Sequence, residues 1–185
     1  MEKSKFLAGK RQKSMTTAML VMCALFAALT GICSQVQIPL PMVPINLALF
    51  AVHLCGAVLG PRYGTFSMIV YVLLGLACLP VFVGFAGGVG VLFGKTGGYI
   101  IGYILDAFIV GLIVSQWGNS FFKCCIAMAA GLAACYTFGT LWFMQITGTG
   151  LWMSLVYCVF PFLAGDAVKI GLAAYLTRRL KKVLR

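Results

Sequence analysis

Charge, and negative charge above all, is what this 185-residue sequence has least of. Only 9% of its residues are charged and three are acidic, whereas about a quarter of a typical soluble domain is charged. Hydrophobic residues make up 62% of the chain and its mean hydropathy is +1.05. These values exclude a soluble domain and are typical of an integral membrane protein.

Metal-binding and catalytic residues are scarce as well. The sequence has one histidine, His53, and its eight cysteines show no C-x-x-C spacing, so no metal-ligand cluster is indicated. We expect the cysteines to pack as small hydrophobic residues and His53 to be satisfied by a neighbouring helix rather than by a ligand. Apart from Glu2, the only carboxylates are Asp106 and Asp166, and they form no Ser-His-Asp grouping. We therefore expect neither an enzyme nor a bound cofactor.

Long apolar runs occupy most of the chain. Because a helix needs about 20 apolar residues to cross a bilayer, the sequence predicts an all-α protein with six transmembrane helices in one domain. The predicted spans are 15–33, 46–60, 63–82, 97–116, 122–146 and 160–177. The first span exceeds the usual signal-peptide core of about 7–15 residues, and no small-residue cleavage site follows it, so we expect it to be retained.

The basic residues indicate how these helices are oriented. They concentrate in the segment 1–14 and after the sixth span, in 178–185. An even number of spans places both termini on one side, and Lys and Arg mark the cytoplasmic side. We therefore expect both termini to be cytoplasmic and residues 15–185 to form the membrane domain. This arrangement explains the net charge of +11 without a nucleic-acid partner.

Two opposite charges lie within the sixth predicted span. Asp166 and Lys169 are one helical turn apart, about 9 and 14 Å along a helix that begins near Phe160, and so in the outer half of the membrane. A charge inside a bilayer is costly, so an intramembrane pair indicates a functional site. The pair offers an acceptor and a donor to a small uncharged polar ring. The alternative is a salt bridge that only ties the helix to its neighbours.

The segment 80–99, between the third and fourth spans, is rich in glycine. Glycine lets a backbone approach a ligand closely, and irregular backbone at membrane depth must be buried in protein or line a cavity. We therefore predict a loop folded over a pocket. The run GKT at 94–96 does not complete a phosphate-binding loop, because Val89 stands where the first glycine is required. Four glycines recur every four residues and predict one tightly packed helix face: Gly90, Gly94, Gly98 and Gly102.

Several blocks of the sequence, taken in order, resemble the BioY family, the biotin-specific membrane components of energy-coupling-factor (ECF) transporters. The resemblance runs from about residue 18 to the sixth span without a large gap. Lys95 departs from it, since the family usually has proline there, and so does Ala48, where glutamine is common; Asp106 is outside the pattern. The blocks are ALFAALT at 24–30, QIPLPMVPI at 37–45, GAVLGPRYG at 56–64, YVLLG at 71–75, LPVF at 79–82, GGVGVLFG at 87–94, TGGY at 96–99 and DAVK at 166–169.

The resemblance implies a substrate-capture subunit in a prokaryotic-type cell membrane that binds biotin near the outer face. Its implied partners are a transmembrane coupling protein and two cytoplasmic ATPases, which would supply the ATP hydrolysis. The polar ligand contacts fall on Asp166 and Lys169, and the A-x-x-x-A motif that meets the coupling protein falls on Ala24 and Ala28. The gate and the aromatic cover of the ligand are expected to include Phe82, Gly84, Phe85, Gly87, Gly88 and Gly90.

Alternatives remain at three points. In one ligand pose Asp166 accepts from a ureido N–H while Lys169 donates to the ureido carbonyl, and in the other Lys169 binds the biotin carboxylate. Ala24 and Ala28 are alternatively packing residues within the monomer. The alternative functions are an autonomous secondary carrier or pore for a small polar metabolite, although no inverted repeat is visible, and a purely structural membrane subunit.

Overall fold

The computed structural model describes residues 17–39 and 43–183. The predicted basic segment 1–14 and Arg185 therefore lie outside the described residues. The described chain is mostly helical. The connection between the first two helices forms a short antiparallel ribbon of β1 (Gln37–Ile38) and β2 (Ile45–Asn46), and a later loop contains a 3-10 turn at Val83–Phe85. The helices are α1 (Thr17–Gln35), α2 (Ala48–Leu76), α3 (Val89–Leu92), α4 (Gly97–Trp117), α5 (Phe121–Thr147), α6 (Leu151–Cys158) and α7 (Phe160–Val183).

Among the described residues, four helices are long and apolar enough to cross a membrane: α1, α2, α4 and α5. A fifth candidate is the pair Leu151–Cys158 and Phe160–Lys182, whose axes are bent by 44°. The prediction of an all-α membrane protein is confirmed at this level. The number six and the cytoplasmic location of the termini stay predictions.

Helix α2 covers most of the spans predicted at 46–60 and 63–82, but it ends at Leu76, six residues before the predicted end of the second of these spans. Its backbone breaks at Gly60, which has φ 80° and ψ −179°, immediately before Pro61. An added Cβ on Gly64 would lie only 3.0 Å from the Cα of Gly56, whereas eight residues of straight helix would separate the two by about 12 Å. The chain therefore turns back at Gly60, where glycine tolerates the positive φ and proline suits the first turn of the helical segment that follows.

The glycine-rich segment is a folded loop, as predicted, but its glycines do not share one helix face. Helix α3 ends after Leu92, and α4 begins only at Gly97. The two helices turn so tightly that a Cβ on Gly97 would lie 1.6 Å from the carbonyl oxygen of Leu92. Gly90 and Gly94 therefore lie outside α4, and the prediction of a single face is wrong.

The two glycines of the repeat that lie on α4, Gly98 and Gly102, nevertheless allow close helix packing. An added Cβ would come within 2.2 Å of Trp142 at Gly98 and within 2.9 Å of the Cys135 sulfur at Gly102, both on α5. Small residues let neighbouring helices approach in this way. The cysteines contribute to the same packing, since all eight are free and six of them are buried.

Candidate ligand-binding site

Asp166 is fully buried on α7, and both of its carboxylate oxygens are hydrogen-bonded. Lys169 donates from Nζ to Oδ1 over 2.6 Å, as the i,i+3 spacing predicts. Tyr136 of α5 donates its hydroxyl to Oδ2. A buried carboxylate is tolerated only when a counter-charge and further hydrogen bonds compensate its desolvation. The predicted pair is therefore part of a three-residue cluster that joins α5 to α7.

A cavity of about 130 Å³ borders this cluster. Lys169 and Tyr136 form part of its wall, whereas Asp166 lies behind them. An ammonium group has three N–H donors, and since one reaches Asp166, two remain for a ligand. The other residues of the wall come from loops and from α2, α3, α4, α6 and α7: Val43, Pro44, Asn46, Leu49, Tyr71, Phe82, Val83, Val91, Thr96, Tyr99, Ile100, Tyr103, Cys158 and Phe162.

The wall is largely apolar and aromatic, with a few polar groups held in fixed positions. The Tyr71 hydroxyl donates to the carbonyl of Val81 over 3.2 Å, and the Tyr99 hydroxyl lies 3.1 Å from Oγ1 of Thr140. Asn46 accepts the backbone N–H of Ala48 on Oδ1 over 3.0 Å, and its side chain also hydrogen-bonds to Tyr103. An apolar wall with a few convergent polar groups is typical of a small-molecule site.

The two predicted aromatic contacts are placed differently. Phe82 is 1% exposed and belongs to the wall. Its ring lies over Gly75, where an added Cβ would come within 2.0 Å of it. Phe85 is 73% exposed and lies outside the wall, with an unusual φ of 57°. Phe82 therefore covers the cavity, while a contact between Phe85 and a ligand stays a prediction.

The predicted glycines lie in the cavity-covering segment rather than in the wall. Gly88 adopts a φ of 92° and donates its N–H to the carbonyl of Gly75 over 2.7 Å. At Gly87 an added Cβ would lie 2.5 Å from the carbonyl oxygen of Leu79. Gly84 and Gly90 are exposed. These glycines shape the loop that holds Phe82 and Val83 in place, and direct ligand contact stays a prediction for all four.

The sequence analysis missed Tyr136. This tyrosine is 30 residues from Asp166, in an apolar helix, and no spacing rule connects the two. The available signal was chemical, because two carboxylate oxygens in an apolar environment need more donors than one lysine supplies. That signal requires a further donor but does not indicate the helix that provides it.

Ala24 and Ala28 are both exposed, one turn apart on α1. Within the described chain their side chains are therefore not part of the helix packing. The contact with a coupling protein stays a prediction.

His53 of α2 lies beside Asp106 of the neighbouring helix α4. Nε2 of His53 is 3.1 Å from Oδ2 of Asp106, and both side chains are fully buried. The contact is electrostatic rather than a well-aligned hydrogen bond, since the polar atoms of both side chains have no hydrogen-bond partner among the described residues. Neither residue belongs to the cavity wall.

The helical fold and the cavity define an integral membrane protein with a small-molecule-sized cavity inside a helix bundle. Comparison with known proteins narrows this class. The sequence model of the BioY family matches residues 8–185, and the chain therefore belongs to the BioY family.

Individual relatives agree with this assignment. The biotin transporter BioY of Thermotoga maritima is 38% identical over 164 residues, which cover 89% of this chain and 96% of that protein. The probable biotin transporter BioY of Pyrococcus horikoshii is 36% identical over 158 residues, covering 85% and 93%. The crystal structure of an S-component for biotin from an ECF-type ABC transporter superposes with a TM-score of 0.84 at 29% identity, covering 91% of this chain and 95% of that one.

Proposed function

We propose that this protein captures biotin in the cavity beside Lys169 and serves as the substrate-specific subunit of an ECF-type uptake system. The observation that carries the proposal is the position of Lys169 in an otherwise mainly apolar wall, backed by Asp166 and Tyr136. Transporter function in its named relatives supports it, as does the similarity to a solved S-component for biotin.

The chemistry of biotin suits this wall. A ureido ring has two N–H donors and one carbonyl acceptor, and an aliphatic chain joins the sulfur-containing ring to a carboxylate. Lys169 has donors left for the ureido carbonyl or for the carboxylate. A direct bond from a ureido N–H to Asp166, as in the first predicted pose, stays a prediction, because this carboxylate lies behind Lys169 and Tyr136. The aromatic and aliphatic wall would cover the apolar part of the ligand.

The membrane arrangement that we propose has six spans with both termini in the cytoplasm. The reversal of the chain at Gly60 supports six, because it divides α2 into two segments. The basic residues at the end of α7 support the cytoplasmic C-terminus. In this orientation the cavity lies toward the outer face. A coupling protein and two ATPases would complete the transporter on the inside.

Calorimetry of biotin binding to the purified protein tests the proposal. We expect Lys169→Ala to weaken biotin by at least about tenfold, because a hydrogen bond to a charged group contributes about 1.5–3 kcal/mol. Lys182→Ala is the matched control, since Lys182 is exposed at the far end of the same helix. Wild-type affinity in Lys169→Ala would contradict the assignment, as would equal losses in both variants.

Biotin methyl ester distinguishes the two poses. If Lys169 binds the ureido carbonyl, the ester should retain most of the affinity, and the effect of Lys169→Ala should be the same for ester and acid. If Lys169 binds the carboxylate, the ester should bind the wild-type protein about as weakly as biotin binds the variant.

A further inference from the structure

Gln35, the last residue of α1, joins that helix to the loop that covers the cavity. We define the cavity loop as residues 77–88. The side chain of Gln35 accepts the backbone N–H of Phe85 on Oε1 over 2.8 Å and donates from Nε2 to the carbonyl of Phe82 over 2.9 Å. Its Nε2 also lies 3.2 Å from the carbonyl of Gly31, within its own helix. Nε2 lies 3.4 Å from the carbonyl of Pro80 as well, so one amide spans three backbone groups of the loop and anchors them to α1.

These partners fix the orientation of the amide. The reverse orientation would place N–H against N–H at Phe85 and oxygen against oxygen at Phe82. The contact also coincides with the unusual backbone of the loop, where Gly84 has φ 72° and Phe85 φ 57°. A bulky residue adopts such a conformation only when its surroundings enforce it, and the bond to Gln35 is one such constraint.

The segment that Gln35 holds includes part of the cavity wall. Phe82 and Val83 line the cavity directly. Next to them, Val81 is held through its carbonyl, which lies 2.6 Å from Oγ of Ser34 and accepts the Tyr71 hydroxyl over 3.2 Å. Ser34 and Tyr71 hold the inner side of the loop, and Gln35 holds its exposed side, where Phe85 projects away from the protein.

We propose that Gln35 is a positioning residue that latches the cavity loop over the ligand and thereby sets how fast biotin enters and leaves. Gln35 lies outside the cavity wall and acts through Phe82 and Val83. Loss of the latch increases the fraction of molecules with an open loop. A larger open fraction accelerates release while it leaves entry as fast or faster. The kinetic part of this proposal rests on the proposed biotin function.

Hydrogen–deuterium exchange on the ligand-free protein tests the latch without biotin. Gln35→Leu keeps the approximate size of the side chain and removes all of its hydrogen bonds to the loop. We expect the amides of the cavity loop, that of Phe85 above all, to exchange at least about fivefold faster than in the wild type. Gln145→Leu makes the same change at an exposed position near the end of α5 and should leave exchange in the loop unaltered. Equal exchange rates in Gln35→Leu and wild type would overturn the latch.

Release of radiolabelled biotin, chased with unlabelled biotin, tests the link to the cavity. We expect Gln35→Leu to release biotin at least about fivefold faster with an undiminished association rate. A merely structural defect would lower the number of active molecules without changing the release rate of the remainder. Faster exchange in the loop with an unchanged release rate would overturn the control of the cavity by the latch.

A second variant and the behaviour of the wild-type protein distinguish a failure of the latch from a failure of folding or of biotin binding. If Gln35→Leu does not fold, Gln35→Asn replaces it, because the shorter amide cannot reach both loop groups, and the same increases in exchange and release are expected. Wild-type behaviour of Gln35→Asn in both measurements would overturn the proposal. If the wild-type protein itself binds no biotin, the proposed function fails, and the exchange experiment still decides whether Gln35 latches the loop.

Discussion

The two buried carboxylates of this protein are accommodated in different ways. Asp166 receives one hydrogen bond from Lys169 and one from Tyr136. Asp106 is 3.1 Å from His53, without an aligned hydrogen bond. The first arrangement borders the cavity and leaves donors of Lys169 for a ligand, whereas the second lies away from the wall. Position relative to the cavity therefore separates an acid that holds a lysine of the cavity wall from one that lies in the helix interior.

Tyr136→Phe removes only the hydroxyl that holds Oδ2 of Asp166. A buried charged acceptor then loses a donor, which costs about 1–3 kcal/mol, and Lys169 is drawn further toward the carboxylate and away from the ligand. We expect biotin affinity, measured by calorimetry, to fall by about fivefold or more. Tyr175→Phe is the matched control, because the exposed Tyr175 on α7 accepts a hydrogen bond from Arg179 rather than donating to a buried acid. Unchanged affinity in Tyr136→Phe would show that the hydroxyl does not position the site.

Sequence reasoning predicted the charged pair but not the residues around it. The i,i+3 spacing of Asp166 and Lys169 is local, and a helix converts it directly into a contact. Tyr136 and Gln35 contact partners that are 30 and 50 residues away along the chain. Such contacts form only through the packing of helices against one another. Packing of this kind leaves no local pattern in a uniformly apolar sequence.

Helices α4 and α5 meet through side chains that leave no room at glycine positions. At Gly131 of α5, an added Cβ would lie 2.0 Å from Oδ1 of Asp106 and 2.7 Å from Val110, both on α4. At Gly139 it would meet the ring of Tyr99 within 2.3 Å. The absence of a side chain on α5 thus gives Asp106 and Tyr99 the space that they occupy.

Gly131→Ala should destabilise the protein by about 2 kcal/mol or more, because the methyl group forces Asp106 or the whole helix to shift. Thermal unfolding in detergent measures the effect as a lower Tm. Gly171→Ala on α7 is the matched control, since no atom lies within 4 Å of its added Cβ and alanine favours a helix over glycine by about 0.5–1 kcal/mol. Equal Tm values for the two variants would contradict tight packing of α4 against α5.

Most helix boundaries were predicted to within two residues, whereas the third span was predicted to reach residue 82 although α2 ends at Leu76, before Pro80. Gly60 and Pro61 mark the reversal within α2, and the predicted start of the last span coincides with the start of α7 at Phe160. The short helix α6 was not predicted, because eight apolar residues before a bend resemble any other apolar loop. The prediction of one glycine face was wrong for the opposite reason. The four-residue period of the glycines is helical, but the helix is interrupted between Leu92 and Gly97.

Helix α1 connects the two ends of the proposed transport function. Its exposed surface carries Ala24 and Ala28, the predicted contact with a coupling protein, and its final residue holds the cavity loop. A partner that shifts α1 would therefore also act on the cover of the cavity. Helix α1 therefore carries both the predicted coupling surface and the residue that anchors the cavity loop.

Ala24→Leu combined with Ala28→Leu should abolish biotin uptake by proteoliposomes that contain the coupling protein and both ATPases, because the larger side chains prevent close helix approach. Biotin binding by the isolated protein should be unchanged, since both alanines are exposed and distant in sequence from the cavity wall. Ala129→Leu with Ala133→Leu is the matched control, as this pair has the same four-residue spacing and is likewise exposed, on α5. If uptake survives in the α1 variant, the coupling protein does not bind α1 at Ala24 and Ala28. Accumulation of biotin by the wild-type chain alone would instead favour an autonomous carrier, whose transport would not depend on close approach at Ala24 and Ala28.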